Sequence, residues 1–174
     1  VDHEKSERRE IVSKERLELI LQMLDTKKNQ WFGGPSAAGS LRTVTSGLAL
    51  WKPPGMKHCI WELALHIAYW EYAVRRMLEN GQKGGFPRTP SDWPAIPVDP
   101  SDEAWKTDRK FVKQERDALI NTMRAFDEKR LETQASSSSK YSYLEIVTGI
   151  AQHSVYHTGQ ISLLKRLGKH ALPT

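Results

Sequence analysis

The sequence predicts an all-α fold, a four-helix up-and-down bundle, on three observations. Four stretches of more than twenty residues carry apolar side chains at steps of three and four, the period of an amphipathic helix. No run of strand length alternates apolar with polar residues, and no segment repeats another. The breaks between the stretches are rich in Gly, Pro and Ser, which end helices. At 174 residues the chain fits one domain, 1–174, long enough to bury a core.

The first helix is expected over residues 4–29. Leu17, Ile20, Leu21 and Leu24 form its apolar stripe, with Val12 and Met23 at the edges. Asn29 and the Gly33-Gly34-Pro35 run stop it, and Trp31 and Phe32 are expected to fold back onto the core. Within 36–50, Leu41, Val44 and Leu48 allow a short helix, which Pro53 and Pro54 forbid from continuing.

The second helix is expected over 57–79. Cys59, Leu63, His66, Trp70, Ala73 and Met77 line one side, widened by Ile60, Ile67 and Val74. Arg75 and Arg76 suit the negative end of the helix dipole, and Asn80-Gly81 closes it. Residues 81–100 hold too many prolines for a regular element and exceed the usual connection length, which suits a lid or a crossover. Trp93 and Ile96 are apolar enough to pin this loop to the body.

The third helix is expected over 101–129, with Ser101 as N-cap and Asp102 and Glu103 in the first turn. Trp105, Val112, Leu119 and Phe126 recur every seven residues. Asp108, Glu115 and Thr122 fall between them and read as polar edges of a narrow seam, the alternative being that Asp108 or Glu115 faces a polar site. Ser136 to Ser139 form a flexible link. The fourth helix runs over 141–167, with Gly168 as its stop.

Charge and composition narrow the function. The net charge is +5, but acidic and basic residues are interspersed and no basic run alternates with aromatics. That argues against nucleic acid as a partner. No apolar run approaches the ~20 residues that span a bilayer, and the charged N-terminus lacks the apolar core of a secretory signal. Cys59 is the single cysteine and reads as a small buried hydrophobe, so a cytoplasmic location is expected.

Three histidines carry the chemistry. On the fourth helix Ile146, Ile150, His153, His157, Ile161 and Leu164 share one stripe. His153 and His157 thus stand where a core-facing helix carries Leu or Ile, one turn apart. Two imidazoles so placed lie about 5–6 Å apart at Cβ, which suits a shared metal ion. His66 interrupts the second helix in the same way. In a bundle such stripes converge, and three imidazoles leave a divalent ion an open position. The competing reading is three core histidines hydrogen-bonded to backbone or carboxylates. A zinc protease carries Glu directly after the first His as its base, and here that residue is Ser154. Around the histidines, Gln160 follows His157 on nearly the same face and Glu62 precedes His66 by one turn. Both are candidate catalytic or supporting residues. Tyr69 and Tyr156 flank the site, and His58 reads as a cap or surface residue.

The segments HCIWELALHIAYWE and, some ninety residues later, HSVYHTGQISLLKR resemble the DinB-like (YfiT-type) family of metal-dependent proteins. SDWPAIPVDPSDEAW and the Trp31-to-Pro35 turn are similar to that family as well, so the likeness runs from about Trp31 to Gly168. The resemblance implies a four-helix bundle with a three-histidine site, which falls on His66, His153 and His157. It also implies zinc or nickel, a homodimer and a small-molecule substrate. Characterised relatives include thiol-dependent transferases and isomerases that use bacillithiol or mycothiol, and DNA binding is not the family's established activity. The expected function is a metal-dependent thiol S-transferase or small-molecule hydrolase. The alternative is a non-catalytic, metal-stabilised bundle or a dimerisation module in a stress response.

Overall fold

The computed structural model describes residues 14–25, 36–79 and 85–172. The expected stops at Asn29, Gly33 to Pro35 and Asn80-Gly81, and the placements of Val12, Trp31 and Phe32, lie outside the described residues. Among the described residues there is no strand, only one isolated bridge between Gln134 and Ser142. The helices are α1 (14–24), α2 (Ala37–Ser40), α3 (Ser46–Leu50), α4 (Ile60–Leu78), α5 (Asp102–Arg124) and α6 (Tyr143–Ala171). The fold is an all-α bundle of four long helices, with α2 and α3 packed against its upper end. None of the described helices is long and apolar enough to cross a membrane.

Local chemistry sets the helix ends. α4 starts at Ile60, three residues later than expected, because the Glu62 carboxylate reaches back to accept the Cys59 N–H at 2.8 Å. Ser142 and Glu145 form the same reciprocal box on α6, and the Ser101 hydroxyl accepts the Ala104 N–H at the head of α5. The expected stop at Gly168 is corrected, since α6 runs through it to Ala171. The glycine is there for packing. A Cβ at that position would lie 2.4 Å from Leu48 Cδ1 and 2.9 Å from the Trp51 ring.

Helix directions follow from the contacts. Trp61 meets Trp105 and Asp108 near the starts of α4 and α5, Arg75 pairs with Glu115 farther along, and Glu79 accepts from Thr122 near both ends. These two helices therefore run the same way, and the long link between them is a crossover. α6 runs against them: Tyr143 shares the lower apolar cluster with Val74 and Leu78, Ser154 meets Glu71, and Gly168 faces Leu48. The end of α1 is tied to α5 through Arg116 to the Leu24 carbonyl and Arg124 to Asp25.

The core has two apolar poles. The upper one gathers Leu41, Leu48, Trp61, Leu65, Trp105, Val112, Ile161 and Leu164. The lower one gathers Leu17, Leu24, Val74, Leu119, Met123, Val147 and Ile150. The seven-residue repeat is buried throughout, at Trp105, Val112 and Leu119 on α5 and at Phe126 just past its end, since the helix stops at Arg124 rather than at 129. On α4 the stripe is corrected: Glu71, Val74 and Leu78 are buried, while Ala73 and Met77 are only half-buried. Between the poles lies a belt of buried polar residues, His66 and Glu71 on α4, Arg116 on α5, and Ser154, His157 and Thr158 on α6.

Candidate metal centre

The belt brings the three histidines together. Their candidate ligand atoms all lie within 4.8 Å of one another. His66 Nε2 is 3.1 Å from His153 Nε2, and the three ring centroids are 4.4–5.0 Å apart. Donors at ~2.0–2.1 Å around a tetrahedral ion sit about 3.3 Å from each other, so this spacing needs little adjustment to hold one.

Hydrogen bonds fix the tautomers. His66 Nδ1 lies 2.5 Å from the Asp92 carbonyl oxygen, which can only accept, so Nδ1 carries the proton and Nε2 is bare. His157 Nδ1 likewise donates to Gln160 Oε1 at 2.7 Å. The His153 Nε2–H therefore donates to His66 Nε2, and its Nδ1 is buried without a partner. A metal ion would replace that shared proton.

Burial lowers the pKa of all three rings. For His153 burial acts first, helped by the neighbouring His157 and His66, and takes it from 6.5 to about 4. For His66 and His157 burial is again the largest cause, opposed by the bonds to Asp92 and Gln160. Neutral imidazoles suit metal ligation better than a cationic role. The donor set fits a divalent ion, and no fourth ligating group joins the three among the described residues.

The site's outer wall comes from the crossover. Trp93 lies flat on the His66 ring at 3.8 Å, and His58 lies flat on the other face of Trp93 at 3.5 Å. The reading of His58 as a cap or surface residue is thus corrected; it is the outer leaf of a three-ring stack. Trp70 and Tyr156 stand edge-on to His153 and His157, at 6.0 and 4.9 Å. Tyr156 is exposed.

The remaining candidates fall in distinct places. Gln160 bonds directly to a triad ring. The Glu62 carboxylate is occupied at the head of α4 and lies 3.8 Å from both Lys52 and His58. Ser154 donates to Glu71, so it serves the ion pair beneath the site. Asp108 is no seam edge: it is buried, accepts the Trp61 indole N–H at 2.8 Å and pairs with Arg88. Cys59 is buried as expected, which pushes its thiol up to about 11.

A family model described as the DinB superfamily matches residues 37–161. The chain belongs to the DinB superfamily. No curated protein and no solved structure matches it. The DinB match spans α2 to the middle of α6 and includes all three histidines and the crossover. Asp92 and Trp93 were not among the candidate site residues. A loop has no period to betray which side chain turns inward.

Proposed function

We propose that this DinB-superfamily protein is a metal-dependent enzyme acting on a small electrophile. In this reading His66, His153 and His157 hold a divalent ion, zinc or nickel, and the reaction is transfer of a low-molecular-weight thiol or hydrolysis. One observation carries the reading. His66 and His157 each have Nδ1 bound to a carbonyl oxygen, so their Nε2 lone pairs are bare inside a buried belt. When bound, the ion supplies Lewis acidity that lowers the pKa of a thiol or water beside it.

The chain's own residues do the rest. Three neutral rings cancel none of the ion's charge, so an anion such as a thiolate is the favoured partner for the open position. The Gln160 oxygen is taken by His157, which leaves its NH2 group to donate to a substrate carbonyl. Glu62 can act as an acid or base only by releasing the Cys59 N–H, so Gln160 has the stronger geometric case. Trp93 and Trp70 keep water from one side of the triad. A small-molecule substrate, a homodimer and a cytoplasmic setting complete the proposal.

One feature favours a second, non-catalytic reading. The triad joins α4 to α6 where the two apolar poles meet, so an ion there would also stabilise the bundle. Both readings meet one experiment: metal analysis of tag-free protein beside His153→Ala, then a screen of low-molecular-weight thiols and esters with several divalent metals. Near-stoichiometric metal in the parent and none in the variant is expected. Turnover of a thiol conjugate or an ester supports the enzyme. Metal that raises the melting temperature with no turnover supports the scaffold. A parent that cannot be loaded ends both.

A further inference from the structure

We infer that Asp92 is the positioning residue of the centre: it sets the orientation and basicity of His66, and so makes the crossover loop part of the metal site. The inference rests on the metal reading above. Asp92 stands in the left-handed region, with φ +72°. Asp tolerates that conformation better than most residues because its short side chain bonds locally. The turn brings two acceptors from one residue to the same ring nitrogen. The Asp92 carbonyl oxygen lies 2.5 Å from His66 Nδ1, and its carboxylate lies 3.3 Å away.

The carboxylate is itself held by the Trp70 indole N–H at 2.7 Å. Asp92, Trp70 and His66 therefore close a ring of contacts behind the ligand atom. A carboxylate behind the distal nitrogen of a ligating histidine raises the ring's donor strength and fixes its tautomer. His157 has only a neutral amide in the matching place, and His153 has nothing. The triad is thus graded, and His66 is its strongest donor.

The rest of the loop is anchored separately. Arg88 pairs with Asp108, and the Tyr72 hydroxyl donates to the Gly85 carbonyl at 3.0 Å. This separation makes the inference testable, since the loop can be loosened at Arg88 without touching His66.

The test measures Zn2+ and Ni2+ affinity by competition with a chelating dye, on tag-free full-length protein. Five chains are compared: the parent, Asp92→Asn, Asp92→Gly, Asp92→Val and Arg88→Ala. Far-UV circular dichroism of the metal-free forms confirms folding. Asp92→Gly keeps the backbone acceptor and accepts a positive φ, so it isolates the carboxylate; its Kd is expected to rise roughly 10–100-fold. Asp92→Val cannot hold the turn, loses both acceptors and should be weaker still. Asp92→Asn keeps a hydrogen-bond acceptor without the charge and should fall between parent and Gly. Arg88→Ala should bind like the parent. Co2+ spectra add a second readout: the Gly and Val variants should show altered d–d bands where Arg88→Ala does not. Parent-like binding by Gly and Val overturns the inference and leaves the metal reading standing. Arg88→Ala as weak as Asp92→Gly also overturns it, because the loop then acts only as a tether. A parent that takes up neither metal removes both.

Discussion

Two polar clusters share the middle of this bundle, five residues apart on α4 and side by side on α6. His66 and His153 belong to one, and Glu71 and Ser154 to the other. In the second, Arg116 Nη2 meets Glu71 Oε1 at 2.5 Å, Ser154 donates to the same oxygen at 3.1 Å, and Arg116 also donates to the Leu24 carbonyl. Burial pushes the Glu71 carboxyl up, while the guanidinium and the hydroxyl pull it back. Charge there faces opposite charge. In the first cluster three neutral imidazoles converge, and the only bond between them is the His153 Nε2–H to His66 Nε2 at 3.1 Å. Neighbouring positions thus hold opposite designs. One closes charge on charge and ties α4, α5 and α1 together, leaving Glu71 Oε2 and Arg116 Nε buried without a hydrogen bond; the other gathers three nitrogen ligands that fit a divalent ion.

The sharpest way to break this comparison is to exchange the consequences. His153→Ala should abolish metal binding, from near one ion per chain to none by mass spectrometry, while the far-UV spectrum stays that of the parent. Glu71→Ala should do the reverse. It leaves a buried guanidinium without its partner, a loss of about 3–5 kcal/mol in denaturant unfolding. The molecules that remain folded should still bind metal. If Glu71→Ala melts with the parent, the closed cluster is not a structural tie.

A change outside both clusters sets the scale. Gly168→Ala should cost about 1–3 kcal/mol, because Leu48 and Trp51 must give way to a methyl group. Metal stoichiometry should not move. The smallest effect is a pH slope in the metal-free protein. His153 has a folded pKa of about 4 against 6.5 for the unfolded chain, so the unfolded state binds more protons between those values. Its contribution is therefore fully present above about 6.5 and is lost as pH falls toward about 4. Melting curves across that window should be flatter for His153→Phe than for the parent. Identical slopes would show that the ring is not buried in its neutral form.

Periodic features were legible in the sequence and singular ones were not. The α5 repeat announced its buried face because each residue's neighbours three and four away agreed with it, and so did the α6 stripe at Ile150, His157, Ile161 and Leu164, whereas Ile146 and His153 are only half-buried and Val147, Ala151 and Ser154 are buried beside them. The triad was legible for the same reason in reverse, as three interruptions of an apolar pattern. Glu71 and Arg116 interrupt the pattern too, but a charged residue near a helix edge reads as solvated until its partner on another helix is known. Asp108 read first as a seam edge for the same reason, and only Trp61 and Arg88 in place decide for the alternative of polar partners. Trp93 was expected to pin its loop to the body and does so on the His66 ring, whereas Asp92 sits in the same proline-rich loop with nothing in its sequence neighbours to show its direction. Gly168 resembled a stop because a glycine after a long helix commonly is one; its packing role needed α3 in place.

The shared direction of α4 and α5 has a consequence for chain length. The connection has to climb only the height of α4, about 28 Å for 19 residues at ~1.5 Å each. Fully stretched, the 23 residues between the two helices could reach on the order of 75 Å. That slack lets the backbone dip inward at positions 92 and 93 before rising to α5. Trimming the surplus is expected to spare the scaffold and unroof the histidines, seen as weaker Zn2+ binding at an unchanged melting temperature of the metal-free form.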